Sequence, residues 1–80
     1  MHEASIAAEI SMIVEENVKA YNLKRVTRIV IKVGSFNAID NQSLNFAFEA
    51  LTKGTACEAA RIELETIEGF ELLVDRIEGE

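Results

Sequence analysis

The sequence predicts an α+β domain in which two helices pack on one face of a small, mixed, three-stranded β-sheet. Three observations indicate this fold class: two segments carry apolar residues at helical spacing, three carry β-branched or alternating residues, and their order is helix-strand-helix-strand-strand. Eighty residues suffice for one small core. We therefore expect residues 1–80 to form a single domain.

The first helix is predicted over residues 4–21. Its core stripe consists of branched aliphatic residues at helical spacing, namely Ile6, Ile10, Ile13, Val14 and Val18. Ser5 or Glu3 near the start could accept hydrogen bonds from the free N–H groups of the first turn. The helix would therefore hold the first three residues of the chain at its rigid end.

The first strand is predicted over residues 24–33, which are rich in β-branched residues. The face assigned to the core consists of Thr27, Ile29, Ile31 and Val33. The opposite face consists of Val26, Arg28, Val30 and Lys32. Because this second face is less polar than a solvated surface, we expect something to cover it.

A second helix is predicted over residues 41–53, after a loop of residues 34–39. Asp40 is a suitable N-cap, and Lys53 followed by Gly54 is typical of a helix C-terminus. The apolar stripe of this helix consists of Leu44, Ala47, Phe48 and Leu51.

Two further strands, predicted over residues 60–67 and 70–77, complete the sheet. Their inward-facing residues are Ile62 and Leu64 in the former, and Phe70, Leu72 and Val74 in the latter. Because only Glu68 and Gly69 separate the two strands, we expect them to form a hairpin.

The composition excludes several classes of function. A net charge of −6 with only eight Lys and Arg residues opposes nucleic-acid binding. No apolar run is long enough for a membrane span and no signal peptide is recognisable, so we expect a cytoplasmic protein that does not bind membranes. One histidine, one cysteine and one tyrosine offer little for an acid–base or nucleophile–base pair, so we expect no enzyme. Cys57 alone can form neither an internal disulfide nor a zinc cluster, and we interpret it as a small buried residue.

Met1-His2-Glu3 is the candidate metal site. The only histidine lies one peptide unit from the α-amine, so the Met1 amine, the His2 backbone nitrogen and the His2 imidazole can close two fused chelate rings. The Glu3 backbone nitrogen or an outside donor would occupy the fourth planar position. Planar nitrogen ligands suit Ni(II) and Cu(II) rather than zinc. The alternative interpretation is that these residues form a frayed chain terminus with no function.

Several stretches together resemble one family in their order and spacing. They are Met1-His2-Glu3, Ser5-Ile6-Ala7, Glu9-Ile10, residues 24–34, Asp40, Leu44, Phe46-Ala47-Phe48-Glu49, residues 51–55 and residues 77–80. The resemblance is to HypA, the nickel metallochaperone family of nickel–iron hydrogenase maturation. It implies that His2 is the nickel ligand, that the terminal amine and adjacent backbone nitrogens complete the site, and that Glu3 contributes to metal binding or partner contact. It also implies two partners, the HypB GTPase and the hydrogenase large subunit.

The sequence departs from this family at the junction of residues 67–70. Family members carry a zinc module with two Cys-x-x-Cys pairs between the second and third strands, whereas here Glu68-Gly69 alone joins them. We therefore expect a nickel-binding domain without zinc. The alternative is an acidic protein-interaction module of the same fold, which docks maturation partners without productive metal transfer.

The short junction also predicts an assembly. If the last two strands are not neighbours in the sheet, two residues cannot bridge them, and the third strand would complete the sheet of another protomer. The apolar residues expected on the outer faces favour the same conclusion, namely Val26, Val30, Leu73 and Ile77. We therefore expect a homodimer or a strand-swapped assembly.

Overall fold

The structure, a computed structural model, describes residues 3–80 and contains the predicted elements in the predicted order. These are α1 (Glu3–Tyr21), β1 (Val26–Gly34), α2 (Asn41–Leu51), β2 (Arg61–Ile67) and β3 (Leu72–Gly79). The α+β class with two helices and a mixed three-stranded sheet is thereby confirmed. None of the helices in the described part of the chain is long and apolar enough to cross a membrane.

One core lies between the two helices and the sheet. Its buried members are Ile6, Ala7, Ile10 and Val14 of α1, Val26, Ile29 and Ile31 of β1, Leu44 and Phe48 of α2, Cys57, and Ile62 of β2. The predicted stripe of each helix is confirmed at its centre, because residues three and four apart share one helical face. At the margins of these stripes the prediction was wrong, since Ile13 is 42% exposed and Leu51 is 50% exposed.

At the start of β1 the observed burial is the reverse of the prediction for two residues, Val26 and Thr27. Val26 is fully buried, whereas Thr27 is exposed and donates from Oγ1 to the Glu78 carbonyl oxygen at 3.2 Å. The pairing with β3 shifts register between Val26 and Arg28. Because a bulge inserts one extra residue, the alternation of side chains is reversed on one side of it. The assignment of Thr27 to the core and of Val26 to the outer face was therefore wrong.

The order of strands in the sheet is β2-β1-β3, so the predicted hairpin between β2 and β3 was wrong. The central strand β1 is parallel to β2 and antiparallel to β3. A helical crossover through α2 returns the chain in the direction of β1, which makes β2 its parallel neighbour. Since β2 occupies one edge of β1, β3 can pair with β1 only along the opposite edge.

Residues 68–71 connect β2 to β3 across the end of β1. The outer strands of three lie about 10 Å apart, and four extended residues reach roughly 13 Å. This link is longer than the two residues predicted, because β3 begins at Leu72 rather than at Phe70. Since β3 pairs with β1 of its own chain, an exchange of strands between protomers is not needed to complete the sheet.

The connection crosses β1 at Gly34. A Cβ atom there would lie 2.2 Å from the Gly69 carbonyl oxygen and 2.6 Å from the Phe70 nitrogen. Two backbone hydrogen bonds of 2.6 Å fasten the crossing, from Gly34 N–H to the Glu71 oxygen and from Ser35 N–H to the Ile67 oxygen. Only a residue without a side chain allows this approach of two backbones.

The outer face of the sheet, opposite the helices, is mostly charged. Its ion pairs join Arg28 to Glu63, Arg28 to Glu78 at 2.7 Å, Arg76 to Glu78 at 3.4 Å and Lys32 to Asp75 at 3.7 Å. Val30 is nevertheless only 1% exposed, since it lies in register between Glu63 and Arg76 on the flanking strands. The cover expected for this face therefore comes from the long side chains of the sheet itself.

The apolar outer residues that predicted an assembly are mostly buried within one chain. Val26 and Val30 are buried, and Ile77 packs against the core from β3. Only Leu73 is substantially exposed, at 47%. That argument for a dimer was wrong, and the oligomeric state stays a prediction.

Candidate metal centre

The predicted metal site lies at the start of α1. Met1 and His2 are outside the described residues, and Glu3 is the first residue of the helix. The first four N–H groups of an α-helix have no acceptor within the helix. The backbone N–H of Glu3 therefore has no carbonyl acceptor in α1, and it donates instead to the carboxylate of the same residue.

The Glu3 side chain ties the start of α1 to the start of α2. Its Oε2 atom accepts a hydrogen bond from the Asp40 backbone N–H at 3.2 Å. This bond, followed by one from the backbone N–H of Glu3 itself, holds the pKa of the Glu3 carboxyl below its ordinary value of 4.5. The carboxylate is therefore ionised at neutral pH and one of its oxygens is already engaged.

Asp40 is the N-cap of α2, as predicted, with φ −86° and ψ 114°. Its carboxylate does not bond a helix N–H with good geometry, but Oδ2 accepts from the Ser43 hydroxyl at 2.6 Å. That bond lowers the pKa of Asp40 below 3.8. Asp40 therefore contributes to the site through its backbone N–H, which binds the Glu3 carboxylate. The sequence predicted Asp40 only as the N-cap of the helix and did not indicate this contact.

Two loops meet at this end of the sheet, namely residues 35–40 and the 68–71 connection. The Asn37 side-chain amide donates to the Phe70 carbonyl oxygen at 2.7 Å, and Phe36 N–H donates to the Gly69 oxygen at 3.1 Å. The rings of Phe36 and Phe70 stack with centroids 4.8 Å apart. Phe70, which was predicted to face the core, is 74% exposed because it precedes β3 and lies on this connection.

Other side chains do not form a rival metal site in residues 3–80, where no three His, Cys, Asp or Glu residues are suitably grouped. Cys57 is fully buried, with Sγ 3.7 Å from Oε1 of Glu15. Burial, and then the Glu15 carboxylate, raise the pKa of Cys57 from 9.0 to about 11. Because a thiol binds metals as its thiolate, Cys57 is a poor ligand here, and its interpretation as a buried apolar residue is confirmed.

Comparison with known proteins gives one consistent result. The family model described as "Hydrogenase/urease nickel incorporation, metallochaperone, hypA" matches residues 1–72. The hydrogenase maturation factor HypA of Azotobacter vinelandii is 41% identical over 69 residues, which cover 86% of this chain and 61% of that protein. HypA of Methanocaldococcus jannaschii is 40% identical over 72 residues, covering 84% of this chain and 58% of that protein.

The fold is also similar to solved structures. The solution structure of the Ni metallochaperone HypA from Helicobacter pylori matches with a TM-score of 0.70 at 20% identity, covering 95% of this chain and 72% of that chain. This likeness concerns the arrangement of helices and strands. The chain spans about three fifths of the length of the curated relatives that it matches.

Proposed function

The chain belongs to the HypA family of hydrogenase and urease nickel-incorporation metallochaperones, and from that premise we propose that it carries Ni(II) for hydrogenase maturation. The observation that carries the proposal is the match of the family over residues 1–72, which includes Met1-His2-Glu3. Relatives are named as maturation factors and metallochaperones. We accordingly propose a carrier that binds and releases the ion without catalysing a reaction.

The ligands proposed for nickel are the Met1 amine, the backbone nitrogens of His2 and Glu3, and the His2 imidazole. The position of Glu3 at the first turn of α1 supports this set, because its N–H donates to no backbone carbonyl of the helix, and metal binding would displace only its contact with the Glu3 carboxylate. The contact between the Glu3 carboxylate and the Asp40 N–H would hold the first turn in place while the nitrogens bind. Glu3 thus acts as a ligand through its backbone and as an anchor through its side chain.

Residues 1–80 are proposed to be the nickel-binding domain of this family, with the zinc module absent at the junction of residues 67–70. The greater length of the relatives is consistent with an additional segment in them. Here the four-residue connection is closed by hydrogen bonds to Gly34, Ser35 and Phe36. The pairing of β3 with β1 therefore does not require an inserted module between β2 and β3.

The proposed partners are the HypB GTPase and the hydrogenase large subunit. One observation also favours the second candidate, an acidic interaction module without productive metal transfer. Phe36 and Phe70 are 67% and 74% exposed, and they form a stacked pair at the end of the sheet where Glu3 meets Asp40. Exposed aromatic residues are enriched where proteins bind one another.

Calorimetric titration of the untagged protein with Ni(II) tests the first candidate. We expect one site at pH 8 that is lost in His2→Ala and in a chain extended by one glycine before Met1. Glu3→Ala should retain the site, since all four nitrogen donors remain, and Glu49→Gln is the matched acidic control on the exposed face of α2. Equal binding by the wild type, His2→Ala and the extended chain would place the ion elsewhere and refute the proposal.

Acidification provides a second readout. The amine and imidazole have reference pKa values of about 7.7–8.0 and about 6.5, so nickel affinity should fall between about pH 8 and pH 6. The Glu3 carboxyl, with a pKa below 4.5, stays ionised through that range. Loss of nickel near pH 6 with an unchanged circular dichroism spectrum would show that the ligands, and not the fold, titrate.

A pull-down with the GTPase partner separates the two candidates. If His2→Ala still binds the partner while Phe70→Ser does not, the aromatic pair serves docking and the histidine serves the metal. Retention of docking by both variants would exclude this pair as the partner surface.

A further inference from the structure

The two edges of the sheet differ in whether they can accept another strand. At the edge formed by β2, the Asn45 side chain bonds the Ile62 backbone twice: Oδ1 accepts from the Ile62 N–H at 2.9 Å and Nδ2 donates to the Ile62 oxygen at 3.0 Å. This side chain of α2 occupies the place that an added strand would take. The β2 edge is therefore protected from pairing with another chain.

The edge formed by β3 is open. Within residues 3–80, the backbone of this strand bonds β1 on one side and has no backbone partner on the other. In an antiparallel pair, successive residues direct their N–H and C=O groups alternately at the neighbouring strand and away from it. Following the register, the residues that direct these groups away from β1 are Leu72, Val74, Ile77 and Gly79. These groups are available to one further strand.

An apolar groove lies beside this open edge, between α1 and β3. It has a volume of about 480 Å³, and its apolar lining consists of Ile13, Tyr21, Leu23, Val74 and Ile77. Ile13 and Tyr21 are 42% and 73% exposed. Because successive side chains of a strand point to opposite faces of a sheet, a strand added to β3 would direct every second side chain into this groove.

The groove is separate from the candidate metal centre. It is lined from α1 by Ile13, Asn17 and Tyr21, which belong to the second half of the helix, whereas Glu3 is the first residue of that helix. The backbone of Asn17 therefore lies roughly 20 Å along the helix axis from Glu3. Changes at the groove can thus be made without altering the proposed nickel ligands.

The rim of the groove on α1 is acidic. Glu9 precedes Ile13 by four positions and Glu16 follows it by three, so the three side chains share one face of the helix. Glu9 and Glu16 are exposed, and neither forms an ion pair with another residue of the described range 3–80. The two charged residues of the lining, Asp75 and Arg76, have opposite signs and are already paired within the sheet. The uncompensated charge beside the groove is therefore negative, which favours a basic ligand.

We propose that the β3 edge and this groove bind an extended, basic segment of another protein, which adds a fourth strand to the sheet. The backbone of the segment bonds the outward-directed groups of β3. Its apolar side chains, at alternate positions, fill the groove beside Ile13 and Tyr21, and its Lys or Arg side chains approach Glu9 and Glu16. In this mode of recognition the main-chain hydrogen bonds supply affinity, and the alternate side chains supply specificity. The net charge of −6 on the chain attracts such a segment and repels an acidic one.

Fluorescence anisotropy with the labelled synthetic peptide Thr-Lys-Thr-Val-Thr-Val-Thr-Lys-Thr tests the proposal in metal-free buffer. In a strand this peptide places its Lys and Val side chains on one face and its Thr side chains on the other. We expect saturable binding that weakens as the salt concentration rises, because the rim carboxylates are exposed. A peptide of the same composition, ordered so that Lys and Val lie on opposite faces, should bind more weakly.

Charge reversal on α1 tests the acidic rim. Glu9→Lys combined with Glu16→Lys should weaken peptide binding by about tenfold or more in Kd. The matched control is Glu49→Lys combined with Glu65→Lys, which changes the net charge equally at exposed positions of α2 and β2 and should bind more tightly than the rim variant. Circular dichroism and urea midpoints establish that both variants are folded.

Methylation of the peptide backbone tests strand addition without altering the protein. One peptide carries methyl groups on the amide nitrogens of its odd-numbered positions, and a second carries them on the even-numbered positions. In an added strand only alternate amides face β3, so one of the two peptides should lose binding and the other should retain it.

Three results would overturn the proposal. Equal effects of the two methylated peptides would show that the contact is not a strand pairing. Equal binding by the rim variant and its control would show that the peptide responds only to net charge. Absence of peptide binding, together with a mass that rises above 8.9 kDa with concentration, would assign the edge to a second copy of the chain, and absence of binding by a chain that stays at that mass would leave the edge without the proposed ligand.

Discussion

The replacement of Gly34 by alanine tests the close passage of the 68–71 connection over the end of β1. The new Cβ atom would lie 2.2 Å from the Gly69 oxygen, whereas ordinary contacts begin near 3.4 Å, so the two backbones must separate by more than about 1 Å. That movement works against the 2.6 Å bonds from Gly34 N–H to Glu71 and from Ser35 N–H to Ile67.

The magnitude follows from these contacts. Overpacking a tight site costs about 1–3 kcal/mol, and each weakened backbone hydrogen bond adds about 1 kcal/mol, so the free energy of unfolding should fall by about 2–4 kcal/mol. For a domain of this size the corresponding decrease in Tm is roughly 10–30 °C. Urea unfolding followed by far-UV circular dichroism measures the first quantity, and thermal unfolding measures the second.

Ser35→Ala is the matched control, since Ser35 is exposed and its backbone hydrogen bond survives the change. Its free energy of unfolding should stay within about 0.5 kcal/mol of the wild type. If Gly34→Ala proved as stable as Ser35→Ala, the close passage of the connection over β1 would be refuted.

Four other predictions concern the β2 edge of the sheet, its charged outer face and the buried Cys57. Asn45→Ala should lower the free energy of unfolding by about 1–2 kcal/mol, since Ile62 loses two partners, and should promote aggregation through the exposed β2 edge; light scattering measures the latter. Arg28→Gln should cost less than about 1 kcal/mol, because its side chain is 39% exposed and its ion pairs are screened, and the difference should shrink further in high salt. Cys57 should resist alkylation by iodoacetamide at pH 8 until urea unfolds the chain; equal rates in the folded and unfolded states would contradict its burial. Because burial raises the pKa of Cys57 from 9.0 to about 11, the unfolded chain ionises first and stability should decline as pH rises through that interval.

Local patterns were sufficient to predict the elements and much of the core. Ile6, Ile10 and Val14 recur with the period of a helix, and Ile62 and Leu64 alternate with charged residues, so their directions follow from backbone geometry alone. The order of the quoted motifs also identified the family that the comparisons confirm. The ligand set at Met1, His2 and Glu3 remains a prediction, since only Glu3 lies within the described residues.

Only the tertiary structure decided which strands are neighbours. No local pattern distinguishes a hairpin from a connection that crosses a third strand, because both need a short link containing glycine. The close approach at Gly34 became evident only when residues 68–71 were seen to pass over it. The prediction that Phe70 faces the core was wrong for the same reason, because Phe70 lies in the connection and not in β3.

Burial on the outer face and contacts distant in sequence likewise required the fold. Val30 occupies a position that alternation assigns to the surface, yet the central strand has long side chains on both flanks to enclose it. The bond between Glu3 and Asp40 joins residues 37 positions apart. The sequence alone therefore determined which residues form helices and strands, because that choice is local, whereas the tertiary structure decided the strand order and the anchoring of Glu3, because both depend on segments far apart in the chain.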